Sequence, residues 1–212
     1  MLTQALLATK PAATFTPGSF TDTTPGTRSF TVPVGTTTLV IEGYGAGGGG
    51  GGGDTGGAHA GATGGNSGAY VKKTLTTGLL SSYSYTVGTA GAGGISTPTN
   101  GSGGTATSIV NGATTYTANG GAGGPIDNGT PSAAATATNG NTNTTGNQGV
   151  KATANGGTNG GAGVGPSGGS AGAAGTVAGN GGNYGGGGAG ASKSDATPGG
   201  SGGLAAAVFT YS

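Results

Sequence analysis

The chain has 212 residues, of which 57 are glycine and 9 are proline, and its formal net charge is +1. Glycine is several times commoner than its usual share of roughly 7%, but a collagen triple helix would need far more imino acid. The sequence contains no cysteine, no long apolar run and only six scattered basic residues, which argues against thiolate metal sites, membrane insertion and a nucleic-acid partner.

The first residues, 1–14, are mildly apolar and contain Leu2, Leu6 and Leu7. Leu2 and Leu6 would lie on one face of a single helical turn. Two interpretations stay open, a frayed terminus or an arm that docks on a partner protein. The domain organisation we predict is an N-terminal docking arm followed by one glycine-rich domain over residues 15–212.

Alternation of apolar and polar residues predicts the first three strands. They lie at 15–22, 27–34 and 36–44, and a Thr-Pro-Gly turn separates the first two. Pro33 has no backbone N–H, so it places the second strand at a sheet edge or near its own end. The third is the strongest strand pattern in the chain.

The later strands follow the same pattern. We predict strands at 68–77 and 82–88, and a closing strand at 204–212. Residues 105–118 predict a β-hairpin, because an Asn-Gly pair, here Asn111-Gly112, is the preferred two-residue hairpin turn.

Three glycine-rich blocks separate the strands, near 45–68, 88–104 and 119–203. Within the last block, glycine recurs at most third positions from 157 to 190. Three residues per turn is the repeat of the polyproline II helix, which has no internal hydrogen bonds. Glycine would let a neighbouring backbone approach closely enough to supply them. The alternative is a disordered tract, which such a composition often indicates.

These patterns predict an all-β fold. We expect a small antiparallel β-sandwich or barrel that carries glycine-rich excursions at one end. The excursions would pack against each other as polyglycine or polyproline II helices.

Catalytic motifs are scarce. The strand at 36–44 runs into glycines that resemble a dinucleotide-binding loop, but seven consecutive glycines follow it and would not form the required helix. The single histidine, His59, has one nearby acid, Asp54, and the five acids show no paired spacing. We therefore expect no enzyme activity, no cofactor and no metal.

Polar loops that interrupt the glycine register are candidates for surface recognition. The loops are 54–63, 95–100, 125–148 and 192–198. Candidate residues for contacting a receptor are Asp54, His59, Asn141, Asn143, Asn147 and Tyr184. Tyr184 stands alone among glycines, and either fills a gap between helices or is displayed at a loop tip.

The order of motifs resembles a known family. The stretches SFTVPVGTTTLVIEGYGAGGGGGGG, GGNSGAYVKKTLT, YSYTVGTAGAGG and TATSIVNGATTYTANGGAGG look like the glycine-rich domain of many bacteriophage tail and virion proteins. The resemblance covers roughly residues 20–212. The glycine tracts are also similar to the polyglycine sandwich of tail-fibre-tip adhesins of T-even-like phages, in which packed polyglycine II helices carry receptor-binding loops.

The resemblance implies a non-enzymatic virion protein, located on the tail or outer surface of the particle and extracellular after release. Its partners would be other virion proteins, contacted through Leu2, Leu6 and Leu7, and a host cell-surface glycan or outer-membrane protein. A homo-oligomer, such as a trimer, is also expected. The alternatives are a decoration or spacer protein of the particle, and an extracellular polyproline II bundle of the ice-binding or matrix type.

Overall fold

The computed structural model describes residues 15–53, 61–96, 99–127, 129–152, 157–166, 168–170, 172, 178–192 and 197–212. The predicted arm, with Leu2, Leu6 and Leu7, lies outside the described residues. So do two of the candidate recognition residues, Asp54 and His59.

The described residues form ten β-strands. They are β1 (Gly18–Asp22), β2 (Gly26–Thr31), β3 (Leu39–Tyr44), β4 (Tyr70–Leu75), β5 (Ser82–Val87), β6 (Thr107–Asn111), β7 (Thr114–Ala118), β8 (Ala137–Thr138), β9 (Thr142–Thr144) and β10 (Ala206–Tyr211). Sheet I has the strand order β1-β10-β3-β4-β9, and sheet II has the order β2-β5-β6-β7-β8. Neighbouring strands are antiparallel throughout, so the predicted all-β sandwich is confirmed.

The core lies between the two sheets, because alternate residues of each strand point inward. Leu39 and Ile41 on sheet I are buried against Tyr83, Tyr85 and other inward residues of sheet II. Aromatic rings close the side of the sandwich where β1 and β2 form the edges. There the rings of Phe30 and Phe209 stack with centroids 4.4 Å apart.

Most strand predictions agree with the structure, with shorter bounds. The hairpin is confirmed as β6–β7, but its turn lies one residue later than predicted. Asn111 pairs with Thr114, so the two turn residues are Gly112 and Ala113. Gly112 has φ +59°, and no positive φ occurs at Ala113. This pattern is that of a type II′ turn, in which only the first turn residue needs positive φ.

Sequence patterns did not predict the two short strands β8 and β9. They lie inside the third glycine-rich block, and they extend sheets II and I by pairing with β7 and β4 at the same side of the sandwich, opposite to β1 and β2. With two and three residues, they are too short for alternation to reveal them.

The glycine-rich connections all leave the sandwich at the same end. Residues 45–53 continue from β3 and 61–69 return to β4, while 88–94 and 99–105 join β5 to β6 in the same way. The remaining segments are 119–125 and 129–136 between β7 and β8, and 145–152, 157–163, 168–170, 178–182, 185–192 and 197–204 between β9 and β10. Together they form a second layer of structure, which we call the glycine bundle.

Candidate functional site

Residues 45–53 form the central segment of the glycine bundle, and all nine backbone N–H groups donate to neighbouring segments at N···O distances of 2.9–3.1 Å. The neighbour changes with each residue and recurs at every third one. The first neighbour accepts through Ala69, Asn66 and Thr63 from residues 45, 48 and 51. The second accepts through Thr105, Ser102 and Thr99 from residues 46, 49 and 52. The third accepts through Gly203, Gly200 and Thr197 from residues 47, 50 and 53. Acceptor numbers fall as donor numbers rise, so these three neighbours are antiparallel to the central segment.

The carbonyl groups of the central segment accept hydrogen bonds from three further neighbours. Carbonyls 46 and 49 accept from Gly121 and Gly124, carbonyls 47 and 50 from Gly91 and Gly94, and carbonyls 48 and 51 from Gly188 and Ala191. Donor and acceptor numbers rise together, so these neighbours are parallel. Six segments therefore surround the central one.

A bonding direction that repeats after three residues requires a helix with three residues per turn. Within residues 45–52, no glycine has φ between +20° and +160°, which excludes the mirror-image, right-handed helix. The central segment is therefore a left-handed helix of the polyproline II type. The predicted packing of the glycine blocks is confirmed, although the tract 157–190 folds into several short segments.

Glycine is required here because backbones meet directly. A Cβ added to Gly50 would overlap the carbonyl oxygen of Ala189, and one added to Gly47 would overlap that of Gly186. Residue 46 is an alanine, and its side chain joins the hydrophobic core of the sandwich. A side chain is thus accepted in the central segment only where the neighbour is the core.

Residues 61–69 repeat the same arrangement. Residues 62, 65 and 68 donate to Ala191, Gly188 and Gly185; residues 63, 66 and 69 to Pro125, Ala122 and Asn119; and residues 64 and 67 to Val150 and Asn147. The glycine bundle is therefore a continuous hydrogen-bonded lattice rather than a single helix with satellites.

Hydroxyl and amide side chains also satisfy backbone groups of the glycine segments. On the outer segment 88–94 and its next residue, the N–H groups of Thr89, Ala92 and Ile95 donate to the side-chain oxygens of Thr105, Ser102 and Thr99. Asn66 and Thr63 likewise accept from the N–H groups of residues 149 and 152. The same three-residue spacing appears again, which explains why threonine, serine and asparagine accompany glycine in these blocks.

Described ends of several glycine segments lie at a common level far from the sandwich, which we call the distal end. Gly53 bonds to Thr197, Gly52 to Thr99 and Thr63 to Pro125, so these chain ends lie together. Among the described residues near this end, Ile95 and Val150 are 58% and 52% exposed. Two charged residues, Asp127 and Lys151, are also exposed there.

A family model described as a glycine-rich domain matches residues 22–211. The chain belongs to this glycine-rich domain family. No curated protein matches it.

In this glycine-rich domain, Tyr184 lies at the sandwich side of the glycine bundle, in a turn that reverses the chain. Its φ is +59°, and its partly buried ring packs edge-to-face on Tyr44 at 5.0 Å between centroids. Tyr70 and Val164 belong to the same cluster on the outer face of sheet I. The ring therefore anchors the turn to the sandwich.

The candidate asparagines make bonds within the domain. Asn141 and Asn143 lie in and beside the β8–β9 turn, where Asn141 Oδ1 accepts from the N–H of Thr74 and Asn143 bonds to Gly140. Asn147 belongs to the glycine bundle, and its Nδ2 donates to the carbonyl of Ala162. The structure does not bring these three asparagines and Tyr184 together at the distal end.

Two ionisable clusters lie in the sandwich. Burial alone would raise the pKa of Asp22, but hydrogen bonds from Thr24 and Tyr85 and the charge of Arg28, 2.7 Å away, hold that pKa below its usual value. Burial and the bond to Asp22 in turn raise the pKa of Tyr85 to about 12.

In the second cluster, on sheet I, the Tyr70 hydroxyl donates to the carboxylate of Glu42. Burial, followed by this hydrogen bond, raises the pKa of Tyr70 far above its ordinary value. Both clusters use their polar groups to stabilise the fold.

Two absences apply to the described part of the chain. It contains no group of three or more histidine, aspartate or glutamate side chains that could hold a metal ion. It also has no helical segment with the length and apolarity that a bilayer crossing requires.

Sequence reasoning missed the exposed apolar residues of the distal end, Ile95 and Val150. Ile95 begins one of the predicted loops, and Val150 follows Gly149 in a polar stretch. A large apolar residue isolated inside a glycine- and asparagine-rich loop is the signal that would have identified both.

Proposed function

We propose that this protein is a non-enzymatic structural component of a bacteriophage virion, one that presents the loops of its distal end for attachment to a host surface. The resemblance in the sequence motivates the virion setting. The observation that carries the attachment role is that described ends of the glycine segments gather at the distal end, while Phe15 and Ser212 lie at the opposite end of the sandwich.

The glycine bundle is suited to this role for a physical reason. Loops bind best when a rigid scaffold positions them, because less conformational entropy is lost on binding. Nine residues, 45–53, at about 3.1 Å each place Gly53 roughly 28 Å beyond the sandwich. The buried hydrogen bonds fix the segments relative to one another, and a small cluster of buried alanines, Ala178, Ala189 and Ala191, lies among them.

Surface contact would use the exposed groups at this end. Ile95 and Val150 offer apolar area, and Asp127 and Lys151 offer hydrogen bonds to polar or charged groups. A host glycan or an outer-membrane protein presents both kinds of group.

The experiment is a binding assay with fluorescently labelled protein on a panel of bacterial strains, combined with immunogold labelling of purified particles. Ile95→Asp and Val150→Asp should reduce cell binding. Val110→Asp is the matched control, because Val110 is also an exposed residue but lies on sheet II. Particle labelling without cell binding would support the spacer alternative. The absence of both particle labelling and cell binding would reject the virion role.

A second candidate function rests on the outer face of sheet II. Its outward residues are all serine or threonine except Val110: Thr27, Ser29, Thr31, Ser82, Ser84, Thr86, Ser108, Val110, Thr115, Thr117 and Thr138. Such a hydroxyl array favours an ice-binding role for the sheet, rather than for the polyproline II bundle that the sequence suggests. We rank it second because sheets twist by about 20–25° per strand, which turns the rows out of one plane. Thermal hysteresis of the purified protein tests it.

A further inference from the structure

The end of the sandwich opposite the distal end, which we call the base end, carries exposed apolar residues. Val34 is 97% exposed and Leu80 is 39% exposed. They belong to two adjacent turns, since the N–H of Val32 donates to the carbonyl of Ser81 at 2.9 Å. Charged residues are absent from the described turns at this end, 32–38, 76–81, 112–113 and 139–141.

The chain also enters the domain at the base end. Phe15 lies against Gly35, the neighbour of Val34, and its ring is 6.4 Å from that of Tyr211. Phe15, to which residues 1–14 connect, therefore lies beside the exposed turns, and those fourteen residues include three leucines. Ser212 bonds to Thr38 at the same end.

We propose that the base end is the docking face of the protein, and that its occupant is an uncharged, apolar surface of another protein of the particle. Val34 and Leu80 contact this surface beside the point where residues 1–14 meet the domain. The inference rests on the proposed virion role. It adds which residues dock and which end of the protein faces the particle.

The chemistry of the two ends supports this assignment. An uncharged apolar patch loses little on desolvation and gains by burial, so it suits a permanent contact. The distal end has charged groups, which are costly to bury without partners. Docking through the base end leaves the distal end free, roughly 45 Å away by the rises of strand and glycine helix.

Cysteine labelling tests the orientation cleanly, because the natural chain contains no cysteine. Val34→Cys and Ile95→Cys form a matched pair of exposed β-branched residues at opposite ends. Each would be introduced into the phage gene, and purified particles would be treated with a membrane-impermeant maleimide. Leu80→Cys repeats the base-end measurement in case Val34→Cys impairs folding.

In the isolated protein, both cysteines should react at similar rates. In intact particles, Val34→Cys should react at least about tenfold more slowly, as for a site that must open before it reacts. Ile95→Cys should keep its rate, and dissociating the particles should restore labelling of Val34→Cys.

Three results would overturn the proposal. Equal labelling of the two cysteines in particles would show that the base end is free. If Val34→Cys is protected from labelling in the isolated full-length chain, and dilution removes that protection, the occupant is a second copy of the chain. If removing residues 1–14 abolishes the protection of Val34→Cys from labelling, the occupant is the arm. Absence of the protein from purified particles by mass spectrometry would instead refute the virion role itself.

Discussion

Replacing Gly50 with alanine should destabilise the protein, although the added group is a single methyl. Gly50 lies in the middle of the central segment, and a Cβ there would overlap the carbonyl oxygen of Ala189. Backbone atoms cannot rotate away as a side chain can. The segment 185–191 must therefore move outward from the central segment.

The expected magnitude follows from the bonds that join the two segments. Gly188 donates to Gly48 at 2.9 Å, and Ala191 donates to Gly51 at 3.0 Å. Each buried group that loses its partner costs about 1–3 kcal/mol. Alanine also lowers the conformational entropy of the unfolded chain, which offsets about 0.4–1 kcal/mol of this loss in stability. The free energy of unfolding should therefore fall by about 2–5 kcal/mol, which lowers Tm by roughly 4–20 °C for a chain of this size.

Thermal and urea unfolding followed by tyrosine circular dichroism measures this change. Gly103→Ala is the matched control, because a Cβ at this exposed position of another glycine segment would lie 3.4 Å from the nearest atom, the carbonyl oxygen of Gly121. That variant should be as stable as the natural protein or more stable by up to about 1 kcal/mol. If Gly50→Ala and Gly103→Ala unfold at the same urea concentration, the direct backbone packing argued above is wrong.

Three further predictions concern side chains. Tyr184→Ala should lower the free energy of unfolding by about 1–3 kcal/mol in urea titrations, because it removes a partly buried ring packed on Tyr44. Ser102→Ala should cost about 0.5–1.5 kcal/mol in the same assay, because Ser102 Oγ accepts from the N–H of Ala92 at 2.7 Å. Asp22 has a lowered folded-state pKa, so its stabilising effect is present above about pH 4 and is lost as pH falls through that pKa. The stability difference between the natural protein and Asp22→Asn should therefore shrink on acidification.

Controls separate these effects from general damage. Tyr184→Phe keeps the ring and should be nearly neutral, and Ser201→Ala changes an exposed serine in another glycine segment. A Tyr184→Ala variant as stable as Tyr184→Phe would contradict the anchoring role. Equal stability of Ser102→Ala and Ser201→Ala would contradict the capping role. A pH-independent gap for Asp22→Asn would refute the ionisation argument.

The strands could be predicted from sequence because their pattern is local. Leu39 and Ile41 alternate with polar or outward residues, and both are buried as that pattern requires. Pro33 lies just beyond the end of β2, an edge strand, which agrees with its missing N–H. The hairpin was found from Asn111-Gly112, and only its turn register differs, because Gly112 alone takes positive φ.

The sequence predicts the type of helix in the glycine bundle but not where its segments begin and end. A three-residue repeat predicts a three-residue helix, but glycine at so many positions does not fix where a segment ends. The chain reverses near Gly165, which has φ +86° and packs on the ring of Tyr70. That contact joins residues far apart in sequence, so no local pattern reveals it.

The candidate recognition residues are the part of the prediction that the sequence constrains least. Asn141, Asn143 and Asn147 are polar groups in loops that the sequence predicts, and each has a bonding partner within the domain. Asparagine serves glycine segments as a backbone cap as readily as it serves a binding surface. Composition alone cannot separate the two uses.

Amide hydrogen exchange over residues 45–53 tests the central claim most directly. These residues belong to no strand and to no α-helix, yet every N–H is buried and bonded. We predict that they exchange as slowly as the core strands β3 and β10, through global unfolding. Exchange at the rate of an unstructured peptide would show that the glycine bundle is a solvated tract, and the account of this protein as a rigid loop-presenting scaffold would fail.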